Sequence, residues 1–376
     1  MITKVGLQNF KCFKGLDEIA FRQITLLTGC NGRGKSSVFQ SLLLIAQSLQ
    51  AGKNLNYLCL NGRFTHLGTY SDVLNRGVGA GGTFTIRIET DDKEEVAYEI
   101  VCRQDAQNDR LVEFEHFVVT RKGGAKTDLI GVIGADDAKA TPSVGLTTSA
   151  GLALQSQLRN VYFVAAERQG PTSYFPKRDD INLDPVGSHG EFSVNTLYEQ
   201  KENLKTKLTE YLSHIMGGAF VNVDSVNDEY ISLLLDSADS SEGYKPINVG
   251  FGYSYVLPIL ITLLIAENGS KIFMENPEAH LHPGAQSRLM EVIIHIAKEK
   301  KLQLFIETHS DHVINAARIA VKKQKIDYGS VGIVHIVRGE ENQSIVMPID
   351  MDENGNLTQY PDDFMEEWGN QMMQLL

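Results

Sequence analysis

The chain has 376 residues, 42% hydrophobic and 22% charged, which is an ordinary globular composition with room for one large domain or a head carrying an inserted lobe. A formal net charge of −12 argues against a surface that coats duplex DNA through its phosphates, but leaves room for a local basic groove. Cys12, Cys30, Cys59 and Cys102 form no CxxC pair, so a zinc ribbon or disulfide framework is not expected and reduced cytoplasmic thiols are. No apolar run reaches the roughly 18–20 residues that cross a bilayer, Met1–Val5 lacks a signal-peptide layout, and no membrane partner is expected.

Ile2 to Phe10 alternates apolar and polar residues, and Ile24 to Leu27 reads as a short buried strand ending at Gly29. Val38, Leu42, Ile45 and Leu49 then recur at helical spacing, so the order is strand, glycine loop, helix. From about Gly68 to Gly134 the period changes to two. Thr83–Ile88 and Val96–Val101 flank Asp91-Asp92-Lys93 as a hairpin, and Val112 to Val119 continues an antiparallel lobe, with Gly123-Gly124 as a turn. Ala135 to Gly151 is small and polar and reads as a loop. Asn195 to Met216 reads as one helix, too short for a coiled-coil arm. After Gly250, strand and helix alternate: Lys271–Glu275 a strand, Ala285–Ala297 a helix, and Leu302–Glu307 a strand followed by a helix capped by Ser310 or Asp311. Val331–Val337 and Ser344–Ile349 form a closing hairpin around Gly339.

Gly29-Cys30-Asn31-Gly32-Arg33-Gly34-Lys35-Ser36 satisfies GxxxxGK[ST] in the strand–loop–helix setting that the motif requires. Gly29, Gly32 and Gly34 let the backbone turn its N–H groups, those of Asn31, Arg33 and Ser37 among them, toward phosphate oxygens. The helix that follows aims its positive end at the same anion. Lys35 is expected to reach the β/γ-phosphates and Ser36 to hold Mg²⁺. A carboxylate at the end of an apolar strand can hold the hydration shell of that ion, and Glu275 is assigned this role. His309, at the end of a second apolar strand, is placed to contact a γ-phosphate or the attacking water.

The segment Glu275-Asn276-Pro277-Glu278-Ala279-His280-Leu281-His282-Pro283, followed by Glu307-Thr308-His309-Ser310-Asp311-His312, resembles the C-terminal half of the OLD/RecF-like AAA ATPases. The opening Ile2 to Phe13 is similar to the start of the same proteins, as is, more loosely, Tyr162 to Arg168, an apolar strand running into an arginine. The resemblance covers both ends of the chain and leaves the β-rich lobe unaccounted for. It implies an α/β fold, a P-loop ABC-type ATPase head of the SMC, RecF and OLD kind, to which the residue pattern adds the β-rich antiparallel lobe and the C-terminal hairpin. It also implies ATP as the nucleotide and a homodimer that completes the ATP sites. Gly252 and Ser254, in Val249 to Pro258, lie where the family places its signature motif, though the sequence is not LSGGQ.

Two departures stand out. Asn276 falls where the family has a water-polarising acid, so slow hydrolysis, or replacement by Glu278 or His309, is expected. No glutamine is clearly placed as the lobe's metal sensor, and His66 to Tyr70 lies about where one would be sought. A zinc site at His280, His282, His309 and His312 is a weaker alternative, since alternation sets His280 and His282 awkwardly unless they lie on a turn. The expected layout is 1–67 and 161–330 for the head, 68–160 for the β-rich lobe and 331–376 for the hairpin and tail. The expected function is a dimerising ATPase coupled to nucleic-acid processing, repair or anti-phage defence, with possible DNA contact. A separate effector such as a nuclease is expected, because no following domain completes a metal site with Asp350 and Asp352. The alternatives are a regulatory ATP switch with little turnover and, more remotely, a transporter subunit.

Overall fold

Period-two burial builds the first sheet. In the computed structural model, β1 (Ile2–Gln8), β2 (Asp17–Ala20), β3 (Ile24–Gly29) and α1 (Lys35–Ala51) come first, then β4 (Tyr57–Cys59) and the single turn α2 (Tyr70–Val73). β5 (Phe84–Thr90), β6 (Glu95–Gln104), β7 (Leu111–Arg121) and β8 (Lys126–Asp128) follow, and α3 (Ser149–Leu158) closes this run. β5 alternates without a break, burying Phe84, Ile86, Ile88 and Thr90, as a strand with one wet face must. The sheet runs β2-β1-β5-β6-β7-β4 with β8 on β7, and each of these pairings is antiparallel. The N-terminal strands therefore share a sheet with the β-rich lobe. By contrast, α1 buries Val38, Phe39 and Leu42 through Ala46 completely, as a helix that is apolar on nearly every side must.

The second run starts with β9 (Val161–Val164), β10 (Tyr174–Pro176), α4 (Ser193–Glu199) and α5 (Glu202–Met216). One continuous helix over Asn195 to Met216 is corrected to two, because Gln200 turns extended (ψ 118°) and ends α4. α4 buries Val194 and Leu197, and α5 buries Leu208, Leu212 and Ile215 at helical spacing. β11 (Phe220–Ser225) and β12 (Tyr230–Asp236) complete a small antiparallel sheet, β10-β12-β11. Then come α6 (Phe251–Ile265), β13 (Lys271–Glu275), α7 (Pro283–Lys300), β14 (Gln303–Glu307) and α8 (Asp311–Lys322). β13 and β14 are parallel, Lys271 opposite Gln303 through Glu275 opposite Glu307, joined by α7 as crossover helix. Both are buried runs, and Phe273 stacks on Phe305 at 4.4 Å between ring centroids. Ser310 caps α8 by accepting from the N–H groups of His312 and Val313.

β15 (Val331–Arg338) and β16 (Ser344–Ile349) form the antiparallel C-terminal hairpin, with α9 (Glu367–Leu375) after it. The remaining strands order as β16-β15-β3 and as β14-β13-β9. The chain divides into one unit of Met1–Val161, Gly332–Asp350 and Leu357–Leu376, and a second of Tyr162–Val331 and Met351–Asn356. The structure describes every residue except 16, 52–56, 80, 94, 130–148, 179–184, 201, 237–242, 340–342, 362–363, 366 and 376. The loop expected from Ala135 lies outside the described residues up to 148, and its last three residues belong to α3. The tip of the closing hairpin, 340–342, also lies outside them. No described helix is long and apolar enough to cross a membrane.

Candidate functional site

In the first unit, the loop between β3 and α1 is shaped by glycines. Gly29 (φ 123°), Gly32 (φ 73°) and Gly34 (φ 102°) all adopt left-handed backbone, which side-chain-bearing residues rarely do. Gly29 has a second constraint: a Cβ there would stand 2.1 Å from the carbonyl oxygen of Ile336 on β15. That approach is held by Thr28, whose Oγ1 lies 2.9 Å from Nδ1 of the buried His335. Gly34 admits the Lys11-Cys12-Phe13 segment beneath the loop, since a Cβ there would meet Cys12 Sγ at 2.5 Å. Lys35 is only 3% exposed, and its Nζ donates to the carbonyls of Gly29 (2.8 Å) and Cys30 (2.9 Å). The ammonium is thus held inside the ring that Gly29 to Ser36 makes. Asn31 and Gly32 are exposed, Arg33 and Ser36 half-buried, and Ser37 buried in the first turn of α1. Beside the loop opens a cavity of about 710 Å³, lined by Lys11, Cys12, Gly32, Asp72, Asn75 and Arg76.

In the second unit, the ends of two parallel strands bring two carboxylates side by side, Glu275 opposite Glu307. Burial pushes the Glu275 carboxyl above its ordinary range. Glu307 adds to the shift, while the hydrogen bond from Ala166 N to Oε2 (3.1 Å) opposes it. Asn276 follows in left-handed backbone (φ 44°), with its N–H on the carbonyl of Glu307 at 2.8 Å and its Oδ1 buried without a hydrogen-bond partner. Glu278 is 9% exposed. Its Oε1 accepts from His309 N at 3.0 Å, whereas its Oε2 has no partner. Glu278 and the His309 backbone therefore meet directly.

The signature-like segment opens α6, with Gly250 as N-cap. Gly252 packs on the turn after β13, where a Cβ would stand 3.0 Å from the carbonyl oxygen of His280. Ser254 is buried rather than presented at the surface. Its Oγ, with Gln169 Oε1 and Ser193 Oγ, lines a cavity of about 20 Å³, and none of the three has a hydrogen-bond partner. His280 does lie on a turn, with left-handed backbone (φ 62°), and packs on the ring of Tyr255 at 4.3 Å. His282 caps α7 instead, its Nδ1 accepting from Gly284 N. Among the described residues, no group of three or more His, Cys, Asp or Glu is arranged to hold a metal ion.

A family model described as "AAA domain" matches residues 4–216, which is more than half of the chain. The chain belongs to the AAA domain family.

A second model, "AAA ATPase domain", matches residues 187–314, and a third, "Protein of unknown function (DUF3696)", matches 333–375. A search of curated proteins finds no match. Among solved structures, the SmcHead bound to the C-winged helix domain of ScpA is similar, with a TM-score of 0.54 and 14% identity over 94% of this chain and 98% of that one. Two others are an Smc head with an extended coiled coil, derived from Pyrococcus furiosus and bound to the C-terminal domain of ScpA, and an SMC head from Thermotoga maritima. The Pyrococcus head has a TM-score of 0.49 at 12% identity, covering 100% of this chain and 99% of its own. The Thermotoga head has 0.46 at 12%, covering 93% and 99%. The fold of this AAA chain is that of an SMC-type P-loop ATPase head.

The AAA chemistry calls for a nucleotide and a divalent cation, and the donors present suit Mg²⁺. Ser36 in the first unit offers a hydroxyl oxygen and Glu275 in the second a carboxylate oxygen, each a donor of the hard kind that Mg²⁺ takes. The raised carboxyl of Glu275 is the kind of group that a cation beside it would return to its charged form.

The residue with no assigned role in the sequence is Arg168. It is 3% exposed and donates to the carbonyls of Ala165 (3.3 Å), Glu275 (3.0 Å) and Asn276 (2.7 Å). Burial lowers its pKa to about 10, although Glu278, Tyr255 and Glu275 favour the charge. The arginine after an apolar strand was visible in the sequence, but the Glu275 and Asn276 carbonyls it holds lie more than a hundred residues away. Glu307 was also without a role, although KIFME and QLFIE both end in Glu and could have signalled the pairing. No described contact gives His66 to Tyr70 a metal-sensing role: Tyr70 Oη donates to the carbonyls of Gly82 and Cys102, and Thr69 caps α2.

Proposed function

We propose that this chain is a dimerising ATPase whose nucleotide state drives a nucleic-acid-processing or defence complex through a separate effector, such as a nuclease. The observation that carries the reading is the phosphate loop, with Gly29 held against the Ile336 carbonyl and Lys35 drawn inside the ring. In this reading the backbone N–H groups of Asn31 to Ser37 and the Lys35 ammonium bind the phosphates of ATP. Ser36 and Glu275 would each offer an oxygen to Mg²⁺, which would supply charge neutralisation to the phosphates. The cavity beside Gly32 takes the nucleoside, and its volume is within the range of ligand pockets. Glu278, with one unpartnered oxygen, orients the attacking water in place of Asn276, and His309 senses the γ-phosphate. Gly252 and Ser254 serve the composite site of a paired head. The SmcHead bound to the C-winged helix domain of ScpA supports a partner-binding role.

The test is steady-state ATP turnover with and without duplex DNA, with Lys35→Ala as the blank. Turnover that falls at least about 100-fold in the blank and responds to DNA is expected. Cleavage of DNA by the pure chain would move the nuclease in cis and overturn the separate effector. Asn276, which cannot take up a proton, favours a second reading: an ATP switch that holds a dimer or partner with little turnover. Binding of ATP without turnover above the blank selects that reading.

A further inference from the structure

Two parts of the second unit are tied together by groups that the hydrolysis chemistry does not itself require. The guanidinium of Arg168 grips the carbonyls of Glu275 and Asn276 with two different nitrogens, at 3.0 and 2.7 Å. The Asn276 carbonyl also accepts from Ala279 N at 3.1 Å, which closes the left-handed turn. On its other side, Arg168 lies 5.2 Å from the ring centroid of Tyr255 on α6. Tyr255 packs on His280 at 4.3 Å, and Phe251, at the first position of α6 and 55% exposed, lies 5.7 Å from the same imidazole. Gly252 lets the backbone of α6 touch that of His280. The start of α6 is thus clamped to the acidic turn at both of the turn's ends: at 275–276 through Arg168, and at 280 through Tyr255, Phe251 and Gly252.

We propose that Arg168 is a positioning residue for hydrolysis and that, with Tyr255 and His280, it couples the exposed N-terminus of α6 to the backbone of Glu275 to Glu278. A second head that engages Phe251 and the first turn of α6 displaces Tyr255 and His280. Arg168 carries that shift to the two carbonyls, and so to the carboxylates of Glu275 and Glu278. A planar fork suits this, because it fixes two acceptors at once, which the point charge of a lysine does not. The coupling rests on the ATPase reading above.

The test uses the full chain and the variants Arg168→Lys, Tyr255→Phe, Tyr255→Leu and the Arg168→Lys/Tyr255→Leu double. Arg168→Lys is expected to lower kcat about tenfold while the Kd for ATP stays within about twofold. Tyr255→Leu falls with it, Tyr255→Phe keeps at least half of kcat because the ring remains, and the double variant is no worse than Arg168→Lys alone. Unchanged kcat in Arg168→Lys overturns the proposal, as does loss of ATP affinity and melting temperature in step with kcat, which would mark a purely structural arginine. If the wild-type chain shows no turnover above Lys35→Ala, the ATPase reading itself fails. The coupling is then judged by ATP-dependent self-association: at least a fivefold weakening in Arg168→Lys supports it, and an unchanged value overturns it.

Discussion

The phosphate loop and the acidic turn after β13 are held in shape by different means. The loop takes its form from three left-handed glycines between positions 29 and 34, a constraint written into consecutive residues. The acidic turn is also left-handed, at Asn276 and His280, but what holds it comes from far along the chain: Arg168, at a separation of 107 residues, and Tyr255 on α6. The loop is therefore expected to fail when a Cβ is added, and the turn when a distant side chain is changed.

The largest expected effect is Gly29→Ala. Its methyl would overlap the Ile336 carbonyl while φ stays at 123°, and a clash with backbone has no side chain to relax, so a loss of ~3 kcal/mol or more is expected. Gly32→Ala, with φ 73° and open space around its Cβ, should cost only about 1 kcal/mol. Denaturant melts of the two would show whether close packing or backbone conformation dominates, and equal losses would rule out the first.

Glu275→Gln should abolish turnover and yet stabilise the protein at neutral pH. Its carboxyl is raised in the folded state, so the folded chain binds more protons than the unfolded one between the ordinary value of 4.5 and the folded value. Its contribution is fully present below 4.5 and lost as pH rises through the folded value. The glutamine variant should therefore melt higher than wild type at pH 7.5, by on the order of 2 °C, and the gap should close toward pH 4. A variant that melts lower at pH 7.5 would show that the carboxylate is well satisfied where it is.

Asn276→Glu sharpens the comparison from the other side. Restoring an acid should raise turnover several-fold if this position faces the water, at a stability cost of about 1 kcal/mol for a longer side chain in left-handed backbone. An unchanged or lower rate would assign the base to Glu278. Smallest of all should be Ser254→Ala. The buried hydroxyl has no hydrogen-bond partner, so melting should shift by less than ~0.5 kcal/mol. A fall in kcat without a fall in stability would show that the hydroxyl is used in catalysis.

Much of the fold was legible because its signals are local. Alternation marked β5 and β7, helical spacing marked α1, and the loop of Gly29 to Ser36 carried its own setting of strand and helix. Where the sequence misled, it did so for want of partners. Asn195 to Met216 looked like one helix because its buried positions, Leu197 and Leu208 eleven residues apart among them, keep one helical phase across the break at Gln200. Ser254 stands in the signature-like segment, but nothing local shows that α6 turns its side chain into the interior.

By itself, the sequence determined the phosphate loop and the two apolar strands that end in acid, since each rests on neighbours within a few residues. Only the tertiary structure decided that β1 and β2 join the β-rich sheet, that Glu275 stands beside Glu307, and that Arg168 holds the turn between them and α6. These are contacts between residues distant in the chain. They depend on strand register and on burial, which no local pattern of residues encodes.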